Sequence, residues 1–299
     1  MGSKNITLSK GLLKELNTFF EDSERIKKED QEKALGQGNS KRIEALNNAT
    51  DLHPAFKGGS DRGEYIYYVL MNSMPESTTA LNGASNLIKN LNCDDIHKIT
   101  RVENPKVVPK VITNLNNANN LVKKLDHDDI VGIIERVGNK YLPADPESIT
   151  AFNNATNLLP GLNGSNIRNA FVGMADNKEQ VKTIEILNKN AKLFGSAIIK
   201  DKISSLVALS PESLQNLCNF IASENKDIFN SDRAGFIKNY IENPQFNALV
   251  CAATPARKLN AGDGKEEVAG EPKNNRWQQR TEQENGFSRR PNTGVMLDK

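Results

Sequence analysis

Aromatic rings, cysteines and histidines are all scarce in this chain: 6% Phe, Trp and Tyr, a single tryptophan (Trp277), three cysteines and three histidines in 299 residues. Three thiols at Cys93, Cys218 and Cys251 are too few and too scattered for a disulfide framework or a CxxC metal site. Unpaired thiols in a reducing compartment are the expectation. No apolar run approaches the roughly 20 residues that a bilayer-spanning helix needs. The opening stretch from Met1 to Thr7 also lacks the basic-then-apolar layout of a secretory signal. Gly2 is followed by Ile6 where a myristoylation motif wants Ser or Thr. A cytoplasmic protein, or one exported by a non-classical route into a host cell, is expected.

An excess of charge of either sign is missing too. Lys and Arg balance Asp and Glu at 7 and 7 in residues 1–40, 23 and 23 in 41–254, and 9 and 7 beyond. A nucleic-acid binder concentrates cations into a phosphate-facing stripe, so neutrality argues against that class. No glycine-rich phosphate loop occurs. The histidines His53, His97 and His127 form no linear catalytic signature, so no catalytic residue and no cofactor is assigned. Cys93 and His127, each followed by two aspartates, are the one pairing that a zinc ion would accept. Helix capping explains the acids Asp94 and Asp128 without metal, and no metal site is assigned.

What the chain has in abundance is asparagine, 38 residues in all. They mark an internal repeat, seen in Leu46-Asn-Asn-Ala-Thr-Asp-Leu52, Leu81-Asn-Gly-Ala-Ser-Asn-Leu87, Leu115-Asn-Asn-Ala-Asn-Asn-Leu121 and Phe152-Asn-Asn-Ala-Thr-Asn-Leu158. Weaker echoes start at Leu187 and Leu217, so successive starts lie 35, 34, 37, 35 and 30 residues apart. A second marker holds the same phase: Cys93-Asp-Asp-Ile96, His127-Asp-Asp-Ile130, Gly164-Ser-Asn-Ile167 and Lys200-Asp-Lys-Ile203.

Leu, Ala and Leu at i, i+3 and i+6 place one apolar stripe on a helix, so each unit reads as helix, turn, helix. Pro75, Pro105, Pro146, Pro211 and Pro244 are expected to open first helices, because proline there lacks only a donor that would be unpaired anyway. Asp94, Asp128, Ser165 and Asp201 are expected to cap the second helices. Proline precedes the heptad by six residues at Pro75, Pro146 and Pro211 but by ten at Pro105, which points to a longer period of about 70 residues.

One such hairpin cannot bury its stripe alone, so the predicted fold is all-α, a right-handed stack of helical hairpins. It is an α-solenoid of five to six repeats of about 34 residues with a disordered C-terminal tail. Residues 41–254 form the solenoid, including an irregular first unit with Tyr65, Tyr67 and Tyr68. Residues 1–40 supply an amphipathic helix over 8–35 and a linker, the helix carrying Leu12, Leu13, Leu16, Phe19 and Phe20 as a cap over the first repeat or a partner-binding element. Residues 255–299 form the polar tail.

The polar positions one and five residues after each heptad start are neighbours on one helix. They are Asn47 and Asp51, Asn82 and Asn86, Asn116 and Asn120, Asn153 and Asn157, with Asn188 in the fifth unit. An Asn amide donates and accepts at once, so a stacked row of them is a candidate grip on a peptide main chain. The arrangement resembles the asparagine-lined groove of armadillo repeats, in architecture only, since armadillo units are longer and have three helices. Tetratricopeptide repeats share the period, but their Trp, Leu-Gly, Tyr and Pro pattern is missing here. The competing role for the amides is to bond the next repeat or solvent. The expected function is a non-enzymatic scaffold for a protein or peptide. Two alternatives stand beside it: an RNA-binding helical repeat, and a bacterial effector with the tail as export signal. The latter rests on the Asn, Lys and Ile bias and the polar tail, which resemble effectors of intracellular bacteria.

Overall fold

A computed structural model describes residues 6–23, 26–56, 62–135, 143–175, 177–223 and 226–253. The tail expected over 255–299, with Trp277, lies outside the described residues, which are α-helical with no strand. In chain order the helices are α1 (Lys10–Asp22), α2 (Lys28–Leu35), α3 (Ser40–Asn47), α4 (Arg62–Asn72), α5 (Pro75–Asn82) and α6 (Ser85–Ile88). There follow α7 (Cys93–Thr100), α8 (Val108–Asn117), α9 (Asn119–Val122), α10 (His127–Glu135), α11 (Pro146–Asn154) and α12 (Gly164–Met174). The last six are α13 (Gln180–Phe194), α14 (Ser196–Ala208), α15 (Pro211–Ala222), α16 (Lys226–Ser231), α17 (Arg233–Glu242) and α18 (Pro244–Ala253). No helix among the described residues is long and apolar enough to cross a membrane.

The helices contact one another in two series. First helices follow one another as α3, α5, α8, α11, α13, α15 and α18, each packed against the next. Second helices do the same through α1, α4, α7, α10, α12, α14 and α17. The seam is made by the residues that the repeat singles out. Leu46 and Leu52, Leu81 and Leu87, Leu115 and Leu121, Phe152 and Leu158, and Leu187 are all fully buried, as are Ile96, Ile130 and Ile167. Burying such a side chain contributes about 1.5–3 kcal/mol. The repeat therefore lies where most of the folding free energy is gained.

Several local expectations need correction. The amphipathic stretch over 8–35 is two helices, α1 and α2, separated by extended backbone at Ser23 and Lys27. Both pack against α4. Pro105 does not open α8; it sits in a turn where Asn104 Oδ1 accepts from Val107 N at 3.2 Å, and Pro109 occupies the first turn instead. Pro109 stands six residues before Leu115, as Pro75 does before Leu81, so the supposed longer period dissolves at this unit. The second-helix caps lie two residues earlier than expected. Asn92 and Asp95, and Asn163 and Asn166, form reciprocal capping boxes on α7 and α12. Asp126 and Asp129 make the same pair of bonds on α10. Asp201 lies inside α14, which starts at Ser196 after Gly195. Gly195 has φ +79° and ψ 154°, a backbone region that only glycine enters without strain.

Candidate functional site

The heptads break their helices. At Ala84, Ala118 and Ala155 the backbone leaves the helical region, with ψ near 57°, 61° and 66°. These alanines are buried, and a larger side chain would not fit where the chain folds back on its own seam. After Ala84 and Ala118 a new short helix begins, α6 and α9, and its first N–H groups have no partner within it.

Those N–H groups are met by the asparagine of the following unit. Asn116 Oδ1 accepts from Asn86 N at 2.9 Å, and Asn153 Oδ1 accepts from Asn120 N at 3.0 Å and Leu121 N at 3.3 Å. The same bond joins Ser9 N to Asn47 at 2.8 Å, Asp51 N to Asn82 at 2.8 Å and Asn157 N to Asn188 at 2.9 Å. The amide nitrogens bond in the same seam, Asn47 Nδ2 to Thr7 O, Asn82 Nδ2 to Asn48 O, Asn86 Nδ2 to Asn116 O and Asn157 Nδ2 to Asn188 O. The bonds from Asn116 and Asn153 thus cap the short helices α6 and α9, and those from Asn47, Asn82 and Asn188 meet N–H groups of loops and turns, each bond worth about 1 kcal/mol.

The nine residues proposed as a peptide grip therefore divide. Asn47, Asn82, Asn116, Asn153 and Asn188 are half-buried, with their carbonyl oxygens directed at the preceding unit. Asn86 is half-buried and donates to Asn116 and Asn119. Asp51, Asn120 and Asn157 are exposed at the end of each stitch.

A second seam joins the caps. His127 Nδ1 lies 3.4 Å from Asp95 Oδ2 and 3.6 Å from Asp128 Oδ1, so the imidazole faces acids. Arg168 Nε lies 3.9 Å from Asp129 Oδ1, and Asn166 Nδ2 donates to Lys200 O at 3.1 Å. Among the described residues no group of three His, Cys, Asp or Glu side chains is placed to hold a metal ion. The thiol of Cys218 is buried, which pushes its pKa up to about 12. It is therefore protonated and unreactive at neutral pH. His97 packs against Tyr68 with tilted rings whose centroids are 5.1 Å apart, and burial chiefly, then Arg101, lowers its pKa. Its ring lines a groove of about 700 Å³ with Asn72, Arg101, Val102, Glu103 and Glu135.

Sequence reasoning passed over a second set of repeated positions. Thr79, Thr113 and Thr150 each stand four residues after the proline in the first turn of α5, α8 and α11, and all are exposed. Gly83, Asn117 and Asn154 follow one helical turn later and are exposed as well. The signal was visible as runs without a charged residue, 77–88, 111–122 and 148–162, although 65–75, 213–223 and 243–256 are free of charge as well. Comparison with protein-family models, with curated proteins and with solved structures found no match for this chain.

Proposed function

We propose that the two helix series are the layers of a right-handed α-solenoid that works as a non-enzymatic scaffold, holding an extended peptide or a protein surface along its length. The observation that supports this reading is the repeated stitch. Five asparagines in successive units bond the preceding unit in the same way, as a molecule that grows by adding equivalent hairpins requires. Such stacks present long ordered surfaces whose side chains repeat at fixed intervals, and a partner with a repeating backbone suits them.

The test is a selection of random peptides of about 12 residues, displayed on phage, against the immobilised full-length protein. The heat-unfolded chain serves as the counter-target. Convergence on a shared pattern that binds only the folded protein supports the scaffold. Recovery of unrelated sequences, equal on both targets, ends the reading.

A further inference from the structure

We infer that the recognition surface of this scaffold is the uncharged strip on α5, α8 and α11, and that its occupant is an uncharged polypeptide segment lying extended across those three helices. The inference rests on the scaffold reading and names the face and the partner.

The first support is the charge pattern. A quarter of the chain is charged, yet residues 77–88, 111–122 and 148–162 carry no charge at all. These runs fall on three first helices packed one against the next. The window is bounded on both sides, by exposed Lys41 and Glu44 on α3 and by exposed Lys182, Glu185 and Lys189 on α13. The second-helix series of the same units keeps its charges, with Asp94, Arg101 and Asp128 exposed. Inside the three runs a phosphate or a charged peptide would find no counter-ion, the exposed Glu76, Lys110 and Glu147 lying one turn earlier at the edge of the strip, and a nucleobase would find no exposed ring to stack against.

Folding alone does not ask for this composition. Exposed mid-helix positions favour Glu, Lys, Gln or Ala, while Thr costs up to about 0.7 kcal/mol relative to Ala. Thr79, Thr113 and Thr150 nonetheless recur at one register on three adjacent helices, and Asn117 and Asn154 stand one turn on as the last residues of α8 and α11. Their chemistry suits a peptide backbone. Thr79 Oγ1 donates to Pro75 O and Thr113 Oγ1 to Pro109 O, each at 2.9 Å, which ties up the hydroxyl proton and leaves the oxygen as an outward acceptor for N–H. Thr150 Oγ1 already accepts from Asn114 Nδ2 at 3.3 Å. The exposed amides of Asn117 and Asn154 supply donors for C=O.

The spacing fits as well. Packed helices lie about 8–10 Å apart and an extended chain rises about 3.3 Å per residue, so each helix meets roughly every third residue. Three helices would read roughly six to nine residues.

The experiment compares the full-length wild type with two variants, using the peptides recovered by the phage selection. In the first, Thr79→Lys, Thr113→Glu and Thr150→Lys put alternating charges on the strip. Each new charge lies three residues after an opposite one, Glu76, Lys110 and Glu147, so the helices keep their stability. In the second, Asn169→Glu and Lys200→Glu alter exposed positions on α12 and α14 of the other series. Matching circular dichroism melts establish that both fold. The expected result is that recovered peptides share an uncharged stretch of roughly six to nine residues, weakened about tenfold or more by the strip variant and by less than about twofold by the control. Charged consensus peptides, or equal binding to both variants, would overturn the strip while leaving the scaffold standing. No enrichment at all sinks both. Concentration-dependent self-association of the wild type, lost in the strip variant, would assign the face to a second copy and overturn the peptide as occupant.

Discussion

The first five units are joined by amides, and the last by rings. From α3 to α13, each first helix offers an asparagine oxygen to the unit before it. Around α15, α17 and α18 the contacts are aromatic. Phe236 stacks on Phe220 with centroids 5.3 Å apart and meets Phe229 and Phe246 edge-on at 5.7 and 5.1 Å. Tyr240 adds a buried hydroxyl that donates to Ser213 O at 2.7 Å. The change has a local cause. Apart from the bond at Ser9, the stitches meet N–H groups freed where a first helix ends at its heptad, and α13 runs unbroken from Gln180 to Phe194. It can give Asn188 to the unit before it but offers nothing for the next unit to cap. At the matching position of α15 stands Cys218, buried as an ordinary apolar side chain. Where the kink ends, the asparagine loses its use, and large apolar surface takes over.

The largest way to break this comparison is on the ring side. Phe220 is fully buried, and Phe220→Ala should cost about 3–5 kcal/mol in urea unfolding followed by circular dichroism. A loss below about 1 kcal/mol would mean that the rings are spectators. On the amide side, Asn82→Ala, Asn116→Ala and Asn153→Ala each delete one acceptor at separate seams. Each should cost about 1 kcal/mol and the triple variant about 3, since distant sites add. If the triple variant melts like the wild type, the amides do not hold the units together. Retained stability with lost peptide capture would return them to recognition.

These two outcomes mark what the sequence could and could not say. The period was legible, because Leu and Ala recur at helical spacing and every Leu of the four close heptads is buried. The target of the asparagines was not, because an amide both donates and accepts, and its partner is a broken helix some 30 residues away in the chain. The caps were misread by two residues because Asn92 and Asp94 are both cap-forming types. Only the reciprocal three-residue spacing from Asn92 to Asp95 separates them. The break between α1 and α2 carries no Gly or Pro at Ser23 to Lys27, so nothing in composition flags it.

A smaller effect sharpens the role of close approach in the second-helix series. Gly173 of α12 faces α14, and a methyl group on it would collide with Ser204 O and lie 2.7 Å from Ser204 Oγ. The backbone oxygen cannot rotate away as a side chain could. Gly173→Ala should therefore lose about 1–3 kcal/mol despite alanine's better helix propensity, read as a lower melting temperature. A gain in melting temperature would show that α12 and α14 separate at no cost.

The smallest expected effect concerns the one capping pair made of two carboxylates. Asp126 Oδ1 accepts from Asp129 N at 2.8 Å, and Asp129 Oδ2 faces Asp126 N at 3.4 Å, where α7 and α12 use at least one neutral amide. Burial, joined by the charge of Asp126, raises the pKa of Asp129 above its ordinary value; the hydrogen bond donated by the Asp126 backbone N–H and the charge of Arg168 pull the other way without prevailing. A raised carboxylate pKa in the folded state means that the ionised form weakens folding at neutral pH, and that stability is regained as pH falls through the folded pKa. Asp129→Asn keeps an oxygen for Asp126 N and copies Asn166 of α12, so it should melt slightly above wild type at neutral pH. The gap should close as pH falls through the raised folded-state pKa of Asp129, where the wild-type carboxyl takes up its proton. A variant that melts lower at neutral pH would show that attraction to Arg168 outweighs burial, and that this seam, unlike the asparagine stitches, is held by charge.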